Sequence, residues 1–402
     1  MGGLRALLTP EGRRVLASLP PYDAATALGV GAALRREGHD ETLVATAMTQ
    51  ARLRARGRAK FGDLAGRLLF TVDGLQQATR PSVAALHAGR YLGAGVGDVL
   101  DLCCGIGGDL WALATAGLAV TGVDRDPLTC AVAEANLAAL GLAGRAGVRC
   151  ADVVDVDLAG AGALFVDPAR RGSRGRTFDP RAYSPPFDAV LAMAGAVAAT
   201  GAKLAPGIPH GVLPAGAEAE WVSDGGDVVE CGLWFGPLAG GVARRATLLP
   251  AGVTVTGDGT RRAAVGVGTG AGAGSTDGGI GRWLHEPDGA VIRAGLVAEV
   301  AEPLGGVLLD PTIAYFTTAA PVPSPFTTAY EVTDVLPFGL KRLRTLLRSR
   351  GVGTLTVKKR GTAVAPEVLR RQLRLSGDAE ATIVLTRVAG RQTVLVVTPV
   401  RL

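Results

Sequence analysis

Val99-Leu100-Asp101-Leu102-Cys103-Cys104-Gly105-Ile106-Gly107-Gly108-Asp109 joins an apolar run, an acid, a glycine-rich turn and a second acid. An apolar helical pattern follows at once. Open α/β sheets cradle nucleotide-like ligands at such a strand-to-helix turn. The acids decide which ligand. A pyrophosphate would be repelled by a carboxylate beside the helix N-terminus that binds it. S-adenosylmethionine has no phosphate and carries a sulfonium and an ammonium. Asp101 and Asp109 therefore favour it over a nicotinamide dinucleotide. Leu110 stands where the dinucleotide fingerprint needs its third glycine.

Outward from the turn, strands and helices alternate from Asp98 to about Pro250. Asp98–Leu102, Ala119–Val123, Gly147–Cys150, Ala163–Val166 and Ala202–Ala205 read as strands. Asp109–Ala116, Pro127–Leu140 and Phe187–Thr200 read as helices. Asp227–Phe235 and Ala243–Leu249 read as late strands able to pair with each other. The alternation predicts an α/β fold with a Rossmann-like, mainly parallel sheet covered on both faces.

Asp101, Asp124, Asp152 and Asp167 fall at the ends of successive predicted strands. Asp124 follows Gly105 by about 20 residues, the spacing at which an acid reaches ribose hydroxyls. Asp152 can sit beside an adenine, and Asp101 can hold an ammonium. Gly105 and Gly107 permit close backbone approach. The expected cofactor set is thus Asp101, Cys103, Gly105, Gly107, Asp109, Asp124 and Asp152. Any one of these acids could instead cap a helix, Asp109 above all.

The fourth strand ends in Asp167-Pro168-Ala169-Arg170-Arg171. Asp167 can accept a substrate N–H or its proton. Pro168 stiffens the turn that aims it. Arg170 and Arg171 can grip a phosphate or stack on a base, or pair as loop charges with Asp179 or Asp188. Asp167, Pro168 and Arg170 form the expected catalytic set. Methyl transfer depends mostly on alignment, so the lack of a Ser-His-Asp or Cys-His pattern is no obstacle. His39, His87, His210 and His285 are scattered and read as structural or surface residues. Cys231 reads as packed.

The 402 residues allow two or three domains. Residues 1–92 read as a helical N-terminal extension and 93–250 as the cofactor-binding domain. Residues 251–280, rich in glycine, read as a linker or loop, and 281–402 as a small α+β domain. The five cysteines form no C-x-x-C pair and sit near no histidine, so no metal site is expected. Their odd number fits a reducing cytoplasm. The N-terminus lacks an apolar signal core, and the longest small-apolar stretch is too short to span a bilayer. The net charge of +6 tolerates anionic partners. Arg52, Arg54, Arg56, Arg58 and Lys60 read as a solvated face or a nucleic-acid contact. Lys341, Arg342, Arg344, Arg348, Arg350, Lys358, Lys359 and Arg360 run without an interrupting acid. They make either a solvated face or an anionic-polymer footprint.

At these motifs the chain resembles the class I S-adenosylmethionine-dependent methyltransferases. More closely, it resembles bacterial members with a C-terminal THUMP-like domain and a trimethylguanosine synthase-type catalytic fold. The carriers are Asp101–Asp109, Val123-Asp124 and Asp167-Pro168-Ala169-Arg170. Pro337–Arg344 and Val357–Gly361 carry the likeness in the tail. The resemblance implies that a helix before the glycine motif closes over the cofactor, which adds Gln77 and Thr79 to the cofactor set. It also implies RNA, tRNA and rRNA not being distinguished, with Lys341, Arg342, Arg344, Arg348, Lys358, Lys359 and Arg360 as contacts. Ala169 and Arg170 replace the Pro and aromatic of the base-amino methylases, leaving Phe178 or Tyr183 to stack on a base. No cysteine nucleophile motif for carbon-5 methylation is present. The expected function is methylation of a base nitrogen in structured RNA. The alternatives are a methyltransferase for a small molecule or protein, and a catalytically silent RNA-binding protein.

Overall fold

The computed structural model describes residues 2–169, 171–172, 175–176, 179–266 and 280–400. The chain forms two compact units. The first runs to Glu218 and takes in Glu230–Gly241; the second takes in Ala219–Val229 and the chain from Val242.

The first unit opens with six helices: α1 (Gly2–Leu7), α2 (Pro10–Ser18), α3 (Ala27–Arg36), α4 (Glu41–Phe61), α5 (Val72–Gln77) and α6 (Pro81–Gly93). Their starts are written in the sequence. Thr9, Asp40 and Thr71 cap α2, α4 and α5 by accepting from Gly12, Leu43 and Gly74 N–H groups. The loop after α4 is held by two buried amides. Gln50 pairs with the Phe70 backbone at 2.5 and 3.0 Å. Asn136 bonds Leu69 N–H at 2.7 Å and also donates to the Ile106 carbonyl in the glycine turn. The helical extension is thereby fastened to the turn it precedes.

The α/β part follows: β1 (Asp98–Leu102), α7 (Gly108–Thr115), β2 (Ala119–Asp124), α8 (Pro127–Leu140), β3 (Ala146–Cys150) and β4 (Leu164–Val166). A short ribbon, β5 (Arg171–Gly172) and β6 (Gly175–Arg176), leads to α9 (Phe187–Ala196) and β7 (Thr200–Leu204). β3, β2, β1, β4 and β7 lie side by side and parallel. The 231–234 part of β9 (Asp227–Trp234) runs antiparallel to β7. This is the expected Rossmann-like parallel sheet, joined at β7 by an antiparallel strand.

One expectation changes here. Asp227–Phe235 and Ala243–Leu249 do not pair with each other. β9 pairs with β7, whereas β10 (Arg244–Leu249) pairs in parallel with β8 (Glu218–Asp224). β8 was hidden by its acids. Glu218 and Glu220 interrupt the apolar pattern, yet both are buried and hydrogen-bonded, Glu220 to Thr247 at 2.5 Å.

In the second unit β11 (Val253–Gly257) adds to β10, so the stretch read as linker or loop begins with a strand. The remainder of its glycine-rich run, residues 267–279, lies outside the described residues. Next come β12 (Trp283–Pro287), α10 (Gly289–Ala294), α11 (Val297–Ala301), β13 (Val307–Asp310) and β14 (Ile313–Thr318). β15 (Thr327–Pro337), α12 (Leu340–Ser349), β16 (Val352–Lys359), α13 (Pro366–Leu373), β17 (Ala379–Val388) and β18 (Arg391–Val400) run in β-α-β-α-β-β order. They extend a seven-stranded sheet ordered β13-β14-β12-β15-β18-β17-β16. Alternation along β17 explains its two cores. Ile383 and Leu385 pack with Leu343, Leu347, Leu369 and Leu373 of α12 and α13, and Val384 packs with Tyr315 and Tyr330.

Candidate active site

The glycine turn needs its unusual residues. Gly105 and Gly107 have φ of +57° and +94°, and Cys103 adopts +64°. A side chain at φ near +60° is strained, and such strain concentrates at functional turns. Asp124 stiffens the turn by accepting from Gly105 N–H at 3.1 Å and Asp126 N–H at 3.0 Å. Asp152 caps the short turn after β3 through Val154 N–H at 3.2 Å. Strand order β4-β1-β2-β3 brings Asp101, Asp124, Asp152 and Asp167 to one edge, as their spacing suggested.

Asp101 is 1% exposed, and neither carboxylate oxygen has a hydrogen-bond partner among the described residues. Burial, reinforced by Asp109 and Asp167, pushes its pKa far above the carboxylate range. A buried acid without a partner is costly, and a ligand cation removes the cost. The residues at the turn therefore fit a cationic amino-acid group.

Register explains the rest. Asp101 faces Phe165 across β1 and β4; Phe165 faces Gly201 on β7; Gly201 faces Trp234 on β9. Two residues on, the same sheet face carries Asp167 and Lys203, with Lys203 facing Gly232. Glu230 lies two residues before Gly232, again on that face. α6 lies over this surface. His87 packs on Phe165 and Trp234 at 5.0 and 5.6 Å between ring centres, and Tyr91 donates to the Leu164 carbonyl at 2.6 Å. Gly201 makes this approach possible, since a Cβ there would stand 2.6 Å from both Trp234 and the Tyr91 oxygen.

The result is a buried chain of polar groups. His87 sits between Glu230 (Nε2 to Oε1, 2.6 Å) and Asp109 (Nδ1 to Oδ1, 2.8 Å). Asp109 also accepts from the Thr79 hydroxyl, and that hydroxyl accepts from Lys203 Nζ at 2.9 Å. Lys203 ends the chain in an ion pair with Asp167. Burial opposes the imidazolium, but Glu230 and Asp109 outweigh it and raise the His87 pKa to about 10. Burial likewise opposes the Lys203 ammonium, and Asp167, Asp109 and Glu230 outweigh it, so Lys203 stays charged. Asp109 is held below its ordinary range: burial works against this, and the His87 bond and charge outweigh it. Lys60, at the end of α4, donates to the Leu75 and Gln76 carbonyls at 3.1 and 3.2 Å. Burial and the nearby Lys203 and Arg80 lower its pKa to about 8.

The expected residues thus differ in what they do here. Asp109 and Thr79 spend their side chains on this buried chain. Gln77 is exposed at the end of α5. Cys103 is half-buried, and burial raises its thiol pKa, so it is a poor nucleophile. Pro168 is buried beside the half-buried Asp167. Arg170 and Phe178 lie outside the described residues. Tyr183 is buried and offers no open face for stacking on a base. Lys203 and Glu230 were not singled out by sequence, and His87, read there as a structural or surface residue, is buried. Of the first two, Lys203 alone left a trace, as a lysine inside an apolar strand. A cavity of about 360 Å³ at the start of β1 and β2 contains none of these residues.

In the second unit the basic run is largely engaged. Arg344 and Arg348 donate to the Gln372 and Arg374 carbonyls near the end of α13 at 2.5 and 2.8 Å. Arg350 makes two 2.7 Å bonds to Asp334, Lys358 pairs with Glu286 at 2.5 Å, and Arg360 lies over Tyr315. The run contains no acid, but neighbouring strands supply them. Lys341, Arg342 and Lys359 are exposed, without ion-pair partners among the described residues. Arg344, Arg371 and Arg374 rim a cleft of about 460 Å³ with Leu340, Val368 and Gln372. Among the described residues no His, Cys, Asp and Glu cluster is arranged to hold a metal, and no helix is long and apolar enough to cross a membrane.

Residues 327–399 match the THUMP domain-like family, and residues 2–57 match a domain of unknown function. An uncharacterized S-adenosylmethionine-dependent methyltransferase of Mycobacterium tuberculosis is 36% identical over 345 residues, covering 84% of this chain and 90% of the relative. The same match is found in a second strain of that organism. The crystal structure of a proposed methyltransferase from Porphyromonas gingivalis superposes with a TM-score of 0.71 at 20% identity, covering 95% of this chain and 100% of that one. That likeness shows a shared fold. Glycine turn, unpartnered acid and relatives agree: the chain belongs to the S-adenosylmethionine-dependent methyltransferases, with a THUMP-like domain at residues 327–399.

Proposed function

We propose that this methyltransferase acts on structured RNA, at a base nitrogen, in the cytoplasm. The observation that carries the substrate class is the THUMP-like domain, with Lys341, Arg342 and Lys359 exposed and three arginines around its cleft. Exposed cations and a cleft of this kind suit phosphates. Five free thiols fit a reducing compartment.

At the catalytic edge Asp101 takes the ammonium of the methyl donor, Asp124 the ribose and Asp152 the adenine side. Asp124 and the backbone of Gly105 and Gly107 shape the turn. When the donor is bound, the acceptor nitrogen forms a bond to its methyl carbon, the carbon–sulfur bond breaks with its pair on sulfur, and the nitrogen's surplus proton passes to water. Asp167 receives the acceptor's N–H as a hydrogen bond and aligns its lone pair. Alignment of this kind supplies most of the rate in such displacements.

Comparison of digested total RNA from cells with and without the protein, by mass spectrometry, tests the substrate. One methylated nucleoside is expected to vanish. An unchanged profile, with methyl groups entering a metabolite or protein fraction instead, overturns the RNA reading. Calorimetry tests the donor site. Asp101→Asn is expected to weaken S-adenosylhomocysteine binding by about tenfold or more.

A further inference from the structure

We propose that Lys203 is a positioning residue for methyl transfer: it holds Asp167 charged and in place, so that the site selects acceptors presenting an N–H donor. This rests on the reading that Asp167 faces the acceptor.

Three observations carry it. First, β4 and β7 run parallel with Val166 beside Ala202, so Asp167 and Lys203 are the next pair in register and project from the same face. Their proximity comes from the sheet ladder, and Asp167 is still tied to β1 through its N–H and the Leu102 carbonyl at 3.1 Å. Second, the two ends of the pair differ in exposure. The Lys203 side chain is 7% exposed and the Asp167 side chain 26%. The ammonium is an interior fixture; the carboxylate reaches the ligand edge. Third, Lys203 is itself anchored. Thr79 accepts from it and donates to Asp109, and Asp109 is bound to His87, which is bound to Glu230. Residues from α6, α7, β7, β9 and the α5–α6 connection thus fix one nitrogen.

The charged groups facing Lys203 are Asp101, Asp109, Asp167 and Glu230, with Lys60 as a neighbouring cation; Asp167 itself faces Asp101, Cys103 and Lys60 besides Lys203. A carboxylate held against an ammonium stays ionised and offers only acceptor oxygens. An amino or imino nitrogen can satisfy it through N–H; a nitrogen without hydrogen cannot. An acceptor nitrogen without hydrogen brings its lone pair against the charged oxygens of Asp167, and that repulsion is the basis of the discrimination.

The test uses the full chain with Lys203→Met and Lys203→Arg. The Asp167 carboxyl carbon, assigned by its loss in Asp167→Asn, is titrated by carbon NMR with S-adenosylhomocysteine bound. Lys203→Met is expected to raise the Asp167 midpoint by at least one pH unit, and Lys203→Arg to restore it. With total RNA from cells lacking the protein as acceptor, Lys203→Met is expected to lower kcat at least a hundredfold. KM for the donor and S-adenosylhomocysteine affinity are expected to change less than threefold, and the acid limb of the kcat profile to move up with the carboxyl. An unmoved Asp167 midpoint overturns the proposal, as does a rate loss with an unmoved acid limb. If Lys203→Met does not fold, Thr79→Val loosens the same nitrogen without removing its charge; it is expected to lower kcat about tenfold, and an unaltered kcat then overturns the proposal. Full activity in Asp167→Ala would sink the reading of Asp167 itself. Loss there with no loss in Lys203→Met would sink only the role of Lys203.

Discussion

The two units treat charge in opposite ways. In the first, isolated charges far apart in the sequence (His87, Asp109, Lys203, Glu230) become a single buried chain. In the second, a conspicuous basic run is dispersed: Arg350 and Lys358 go to ion pairs, Arg344 and Arg348 to backbone carbonyls, and only some members face solvent unpaired. Charge density along a sequence is therefore a poor guide to free charge. Register, which places residues from different strands on one face, is a better guide to collected charge.

The comparison can be broken most forcefully at His87. His87→Leu leaves Asp109 and Glu230 buried without the cation between them, and breaking such a buried arrangement costs about 3–5 kcal/mol. Urea denaturation should show a loss of that size; a loss below about 1 kcal/mol would mean the chain is dispensable. The pH dependence is next. The pKa of His87 rises from 6.5 to about 10 on folding. A group with a raised folded pKa contributes fully below its unfolded value and loses that contribution as pH climbs through the folded one. The His87 contribution should fall by a few kcal/mol between about pH 6.5 and 10, and that fall should be absent in His87→Leu, where Lys60, lowered to about 8 on folding, still titrates. Gly201→Ala comes third. Its Cβ would press on Trp234 and Tyr91, and overpacking of this kind costs about 1–3 kcal/mol, read as a lower melting temperature. The smallest effects belong to the second unit. Arg350→Ala should cost at most about 1 kcal/mol of stability, because its pair with Asp334 is partly exposed. Lys341→Gln with Lys359→Gln should leave stability unchanged, yet flatten the salt dependence of the proposed RNA binding by about one unit of log–log slope per residue. Equal slopes for variant and parent would show that these two lysines do not meet RNA.

Much of the architecture was legible because its signals are local. Pro127 at a helix start, Gly141 at its end and apolar runs ending in acids announce strand and helix boundaries without knowledge of partners. The acids at the strand ends were legible for the same reason. β8 was not, because Glu218 and Glu220 look exposed until Arg90, Gly240 and Thr247 are seen to satisfy them. His87, Lys203 and Glu230 were illegible for a related reason. Each is ordinary in its own segment, and what joins them is β7–β9 register and the packing of α6, which no local pattern encodes. Asp109 shows the limit from the other side. Its position in the motif suggested a ligand contact, and its oxygens also meet Thr79 and His87, partners that no local pattern names.

Thr79 and His87 both precede the glycine turn, and their position sets where this enzyme can be cut. A shortened chain beginning at β1 would keep the whole α/β pattern, including the motif itself. It would also keep Asp109, Glu230 and Lys203 while discarding two of the groups that satisfy them. The smallest autonomous version of this methyltransferase therefore starts upstream of α6, and the turn that announces the fold is not enough to sustain it.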